Sequence, residues 1–182
     1  MSLSIGVIGL GKIAQAIILP LLERGELKPE RVFSIVGKKS TVKSIREIFP
    51  KGFNVVSADD PNEANVWESP IQLLAVKPSQ LDLIKEKIRA KSVVDNSKRP
   101  LLISVLAGIN LNKLEAVFPH HVCVRAVPNI PSLVRKGLTG LSWGSGISSE
   151  QKESVKNIFH PISEVYELSE DQMDAFLALT SS

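Results

Sequence analysis

Cysteine is almost missing from this chain. The single one, Cys123, cannot close an internal disulfide, which excludes a disulfide-stapled framework and favours a reducing, cytoplasmic setting. Its apolar context, VCVRAV, reads as an inert core thiol rather than a reactive one. Aromatics are equally scarce, at 5% of residues. No apolar run reaches the length of about 18 residues needed to span a bilayer, so the sequence offers no membrane partner. The apolar start MSLSIGVIGLGKIAQAIILPLL is broken by Lys12 and Gln15, and no small-residue cleavage site follows it, which argues against a signal peptide. Excess charge is also absent. A net charge of +3 spread along 182 residues is too mild for nucleic acid, but suits a small anionic ligand.

What is present is regular alternation. Short apolar runs (SIGVIG, RVFSIV, FNVVS, IQLLAV, LLISVLAG, HVCVRAV) are separated by helical patterns. The pattern predicts helices over residues 12–24, 41–49, 62–67, 80–89 and 112–118. Such alternation is the signature of an α/β fold, a Rossmann-type, doubly wound and mainly parallel sheet with helices on both faces. GLTGLSWG and SEVYEL predict two extra strands flanking a helix at 150–159, and a terminal helix begins near Glu170.

The first strand runs directly into GVIGLGKIAQA, which carries Gly9-x-Gly11-x-x-Ala14 at the opening of a helix. A dinucleotide pyrophosphate needs this arrangement. Gly9 allows the tight turn, Gly11 lets the backbone approach the phosphates, and Ala14 lets helix pack close on strand. The helix start offers unpaired N–H groups and the positive end of a dipole. The alternative is an ordinary tight turn. An NAD site usually places a carboxylate at the end of the second strand; this chain reads Gly37-Lys38-Lys39-Ser40. Two cations and a hydroxyl there favour a 2′-phosphate, hence NADPH over NADH, unless both lysines are simply solvated surface residues.

Four further segments complete a set: LLAVKPSQL after the fourth strand, ISVLAGI after the fifth, VRAVPNIPSLVRKG after the sixth, and DAFLAL at the close. In this order and spacing the chain resembles pyrroline-5-carboxylate reductase, the NAD(P)H-dependent family of the last step of proline biosynthesis. Ala75-Val76-Lys77-Pro78 and Pro128-Asn129-x-Pro131 are its most specific signatures. The resemblance implies that Gly9, Leu10, Gly11, Lys12 and Ile13 form the pyrophosphate loop. It places Lys38, Lys39 and Ser40 at the 2′-phosphate, and Asn62 near the adenosine ribose. Ala75, Val76, Lys77, Pro78, Ala107 and Gly108 then run along the nicotinamide. Lys77 precedes a proline and should be extended; a plain surface lysine is its alternative.

The resemblance also implies a domain division: residues 1–168 as the cofactor domain, and 169–182 as the start of a linker to an all-helical dimerising domain. In the family that second domain holds the substrate and makes a homodimer or larger homo-oligomer. The chain is therefore expected to be the cofactor half of a longer reductase, nearly inactive alone, with Met173, Phe176 and Leu177 left as an uncovered apolar face. No catalytic acid or base is assigned within it. Asn129, with Arg125, is expected near the substrate in a positioning role, a buried structural pairing for Arg125 being the alternative. His120, His121 and His160 lack partners at metal-ligand spacing and read as structural or solvated, so no metal is expected. Val127 and Ile130 depart from the family's Met-Pro-Asn-Thr-Pro and leave room for another imine or keto acid as substrate. A stand-alone NADP(H)-binding module is the competing reading of a different class.

Overall fold

The computed structural model describes residues 4–91, 99–129 and 136–180. Strands β1 (Ile5–Ile8), β2 (Val32–Val36), β3 (Asn54–Ser57), β4 (Ile71–Leu74), β5 (Leu101–Ser104), β6 (Val122–Pro128), β7 (Gly137–Trp143) and β8 (Ser163–Glu167) form one sheet in the order β3-β2-β1-β4-β5-β6-β7-β8. The six strands from β3 to β6 are parallel, in the 3-2-1-4-5-6 order of a dinucleotide-binding sheet. β7 runs antiparallel to β6, and β8 is parallel to β7.

The strands read as continuous apolar runs because both faces are covered. Successive side chains point to opposite faces, so Leu101 and Ile103 join one core while Leu102 joins the other. The first face is covered by α1 (Lys12–Glu23), α2 (Lys39–Ile48) and α6 (Ser149–Phe159), through Ile17, Ile45 and Phe159 among others. The second is covered by α3 (Ala64–Trp67), α4 (Leu81–Lys91) and α5 (Leu111–Val117), through Trp67, Ile84 and Leu114. No described helix is long and apolar enough to cross a membrane.

Local signals set the element ends. α1 closes at Gly25, whose N–H donates to the Leu22 carbonyl while Glu26 N–H reaches back to Leu21, a Schellman arrangement. α6 opens on a capping box between Ser148 and Gln151.

The terminal helix α7 (Met173–Thr180) corrects one expectation. The face formed by Met173, Phe176 and Leu177 is partly covered rather than fully open. Met173 is fully buried, and Phe176 and Leu177 are half-buried. Gly140 on β7 makes room for this packing: a Cβ there would lie 3.0 Å from the Phe176 ring. Leu179 is the residue that faces solvent.

Candidate functional site

The parallel strands end at one edge, and hydrogen bonds continue past them to bring their loops side by side. Gly9 N–H donates to the Ile35 carbonyl, Ala75 N–H to Ile8, Val105 N–H to Leu74 and Ala58 N–H to Val36. Along this edge the expected site residues follow the order of the sheet: Asn62 after β3, Lys38 to Ser40 after β2, Gly9 to Ile13 after β1, Ala75 to Pro78 after β4, and Ala107-Gly108 after β5. The reversal of strand order lies at β1, where a crevice opens in such sheets.

Gly9 sits at φ +89°, and a Cβ there would come within 2.6 Å of the Ala75 carbonyl oxygen. Only glycine fits, and its turn presses directly on the Ala75-Val76 loop. Gly11 is the N-cap of α1 in an extended conformation; no side chain caps the helix and no acidic residue stands in its first turn. A Cβ on Gly11 would meet nothing within 4 Å, so the space over the helix start is open. These are the requirements of an anion-binding helix terminus. Gln15 stiffens the loop by donating from Nε2 to the Leu10 carbonyl at 2.8 Å. Leu10 itself is buried in the core, leaving only its backbone to face a ligand, while Lys12 is exposed and Ala14 is buried against the sheet.

Lys38, Lys39 and Ser40 are all exposed at the start of α2, which has no acidic residue in its first turn. Asn62 lies in a short 3₁₀ turn and donates both N–H and Nδ2 to Asp60 Oδ1, at 2.9 and 3.0 Å. Lys77 has the extended backbone expected before proline, with φ −70° and ψ 143°; its side chain is exposed, and its N–H donates to Gln80 Oε1. Ala107 and Gly108 are exposed beyond β5.

Asn129 is placed differently from the rest. It is buried, its Oδ1 accepts from Leu138 N–H at 2.9 Å, and its Nδ2 lies 3.5 Å from the Thr180 carbonyl. Arg125 takes the structural alternative. It is almost wholly buried, with Nη1 on Glu170 Oε1 at 2.7 Å and Nη2 on Asp174 Oδ1 at 2.6 Å. Burial alone would lower the guanidinium pKa, but the hydrogen bonds to Asp174 and Glu170 outweigh it and push it up. Val127 is a buried strand residue, so that departure from the family pattern is an exchange within the core. Ile130 and Pro131 lie outside the described residues.

Cys123 is fully buried and its thiol is pushed up to about 12, chiefly by burial and then by Glu115, which fits an inert core thiol. His121 is buried edge-on to Phe118, while His120 and His160 are exposed. Among the described residues no group of three His, Cys, Asp or Glu side chains could hold a metal ion.

Two contributors escaped the sequence. Gly6 lies inside β1, where a Cβ would stand 2.2 Å from the Val66 carbonyl; its place within SIGVIG was the available signal. Lys87 on α4 donates to the Ala58 carbonyl at 2.6 Å and Glu63 Oε2 at 3.0 Å, a link that no local spacing announces.

Sheet order, the glycine turn and the open helix start define a Rossmann-type dinucleotide-binding fold. Residues 4–108 match the family model described as NADP oxidoreductase, coenzyme F420-dependent, and the chain belongs to that family. It is 36% identical over 183 residues to the pyrroline-5-carboxylate reductase of Synechocystis sp., covering 100% of this chain and 64% of that protein. The structure of a pyrroline-5-carboxylate reductase from Coxiella burnetii superposes with a TM-score of 0.86 at 27% identity, over 100% of this chain and 65% of that one. The Plasmodium falciparum pyrroline carboxylate reductase, solved with NADP bound, gives 0.79 at 25% identity, over 98% and 62%. The chain thus spans just under two thirds of the length of these relatives.

Proposed function

We propose that this chain binds NADPH and serves as the cofactor half of a reductase that converts 1-pyrroline-5-carboxylate to L-proline. The observation that carries the reading is the ordered row of residues along one sheet edge, in a chain that aligns over its whole length with reductases of that name. The cofactor is expected to lie along this row, with adenosine beside Asn62, the 2′-phosphate at Lys38, Lys39 and Ser40, the pyrophosphate over Gly9 to Ile13, and nicotinamide beside Ala75 to Pro78 and Ala107-Gly108. The residues suit the group: the space over Gly11 admits a phosphate, and exposed lysines with no carboxylate in the first turn of α2 suit a 2′-phosphate.

When bound, the dihydronicotinamide supplies the hydride that reduces an imine carbon. The chain's own part is orientation. The Gly9 turn and the helix dipole fix the pyrophosphate, and the loops after β4 and β5 fix the nicotinamide face. No side chain here is assigned to donate the proton or hold the substrate carboxylate. Those tasks, and assembly into a homodimer or larger homo-oligomer, are assigned to a helical domain whose start, with its linker, lies within residues 169–182, with residues 1–168 as the cofactor domain. A cytoplasmic location fits the lone, inert cysteine.

The test is a fluorescence titration with NADPH and NADH at low and moderate salt. Tight NADPH binding that weakens with salt, against weak NADH binding, supports the reading. No binding of either at millimolar concentration overturns it. Reduction of several cyclic imines by a chain that includes the helical domain then identifies the substrate.

A further inference from the structure

The loop that carries Asn62 stands beside open space. A cavity of about 270 Å³ opens there, lined by Asn62, Asn65, Phe33 and Arg46 among others, so part of the loop's inner side meets open space rather than the sheet. Hydrogen bonds within it are short in reach: Asp60 N–H to the Ser57 carbonyl, Glu63 N–H to the Asp60 carbonyl, and Asn62 onto the Asp60 carboxylate. They shape the loop, and the bond from Ala58 N–H to the Val36 carbonyl joins its start to β2.

Lys87 adds a side-chain tie from the neighbouring helix α4. It projects from α4, 29 residues after Ala58 and 24 after Glu63. Its ammonium group bonds both at once, at 2.6 and 3.0 Å, with the two paired side chains 24% and 12% exposed. Ala58 and Glu63 are the two ends of the segment that contains Asn62. Ala58 is anchored in turn to the Val36 carbonyl, next to Gly37-Lys38. One cation therefore bridges both ends of the loop to α4. A charge-assisted bond with little solvent around it holds geometry better than an exposed pair does.

We infer that Lys87 is a positioning residue for the adenosine side of the cofactor. Lys87 touches no ligand; it sets where Asn62 stands relative to the Lys38-Lys39 turn. This rests on the NADPH reading above.

The experiment is a titration of the chain with 2′,5′-ADP, an analogue of the adenosine half of NADPH, on wild type, Lys87→Met, Lys87→Arg, Asn62→Ala and the Lys87→Met/Asn62→Ala double variant, with apo thermal unfolding of each. Lys87→Met and Asn62→Ala should each weaken binding about fivefold. The double variant should be no weaker than the worse single one, because both act through the same contact. Lys87→Arg should bind near wild type. Glu63→Gln covers the case in which Lys87→Met does not fold, and should weaken binding in the same direction by less. Wild-type affinity in Lys87→Met, or losses that multiply in the double variant, would overturn the role of Lys87 alone. A wild-type chain that binds neither 2′,5′-ADP nor NADPH would overturn the cofactor reading with it.

Discussion

Arg125 on β6 and Glu170, 45 residues later, meet at 2.7 Å in the interior of the sheet's second face. Arg125 is 1% exposed, yet it carries a full charge. The same Glu170 oxygen also accepts from Leu111 N–H at the start of α5, so one carboxylate joins strand, helix and the terminal segment. Removing Glu170 takes away the less exposed of the two carboxylates facing a buried guanidinium and orphans the Leu111 N–H as well. Glu170→Ala should therefore cost about 3 kcal/mol in urea denaturation. Asp174 pairs with the same guanidinium but is 81% exposed, and Asp174→Ala should cost less than about 1 kcal/mol.

The two glycines of the turn should separate folding from binding. Gly9→Ala forces a side chain into a left-handed conformation and against the Ala75 carbonyl, and should destabilise the fold by about 2 kcal/mol or more. At Gly11 the added methyl meets no protein atom and the backbone is ordinary. Gly11→Ala should stay within about 0.5 kcal/mol of wild type in stability while losing NADPH binding. Thermal unfolding and nucleotide titration on the same samples would separate the two effects.

Replacing both Lys38 and Lys39 with alanine should lower NADPH affinity about tenfold, near 1.4 kcal/mol, and leave NADH affinity unchanged. The difference should shrink as salt rises, because both lysines are exposed. Equal losses for the two nucleotides would show that the turn does not read the 2′-phosphate.

His121 should impose a pH dependence on stability. Burial, with smaller contributions from His120 and Arg99, lowers its pKa from 6.5 to about 4. The unfolded chain therefore takes up this proton before the folded one does. The stabilising contribution is complete above about pH 6.5 and is lost as pH falls through 4. At about 1.4 kcal/mol per pH unit it amounts to about 3 kcal/mol. His121→Gln should flatten the urea-denaturation midpoint over this interval.

Much of this architecture was legible because each parallel strand is a short apolar run ending in a turn, as in IQLLAV before Lys77-Pro78. Doubly wound connectivity then sent every such turn to one edge, so counting strands located the edge, while the resemblance picked out the particular residues from Asn62 to Gly108 along it. The path after β6 was less legible. GLTGLSWG reads as a strand, but nothing in it says that it runs antiparallel. The fate of Phe176 depended on Gly140, 36 residues earlier and bare of a side chain that would have blocked it. Lys87 was hidden for a related reason. Its partners are a backbone carbonyl and a carboxylate on another element, and helical periodicity does not reveal reach across a fold. Asn129 mixes the two: its position at the end of β6 was readable, but its bond to Leu138, nine residues on in β7, was not.

The helix that starts beside Arg125 ends with the Thr180 carbonyl 3.5 Å from Asn129 Nδ2, at the rim where the strand ends gather. Eight helical residues span about 12 Å. One helix therefore meets β6 twice, at its foot through Arg125 with Glu170 and Asp174 and at its head through Asn129, so the charged cluster and the strand-end rim share a single element.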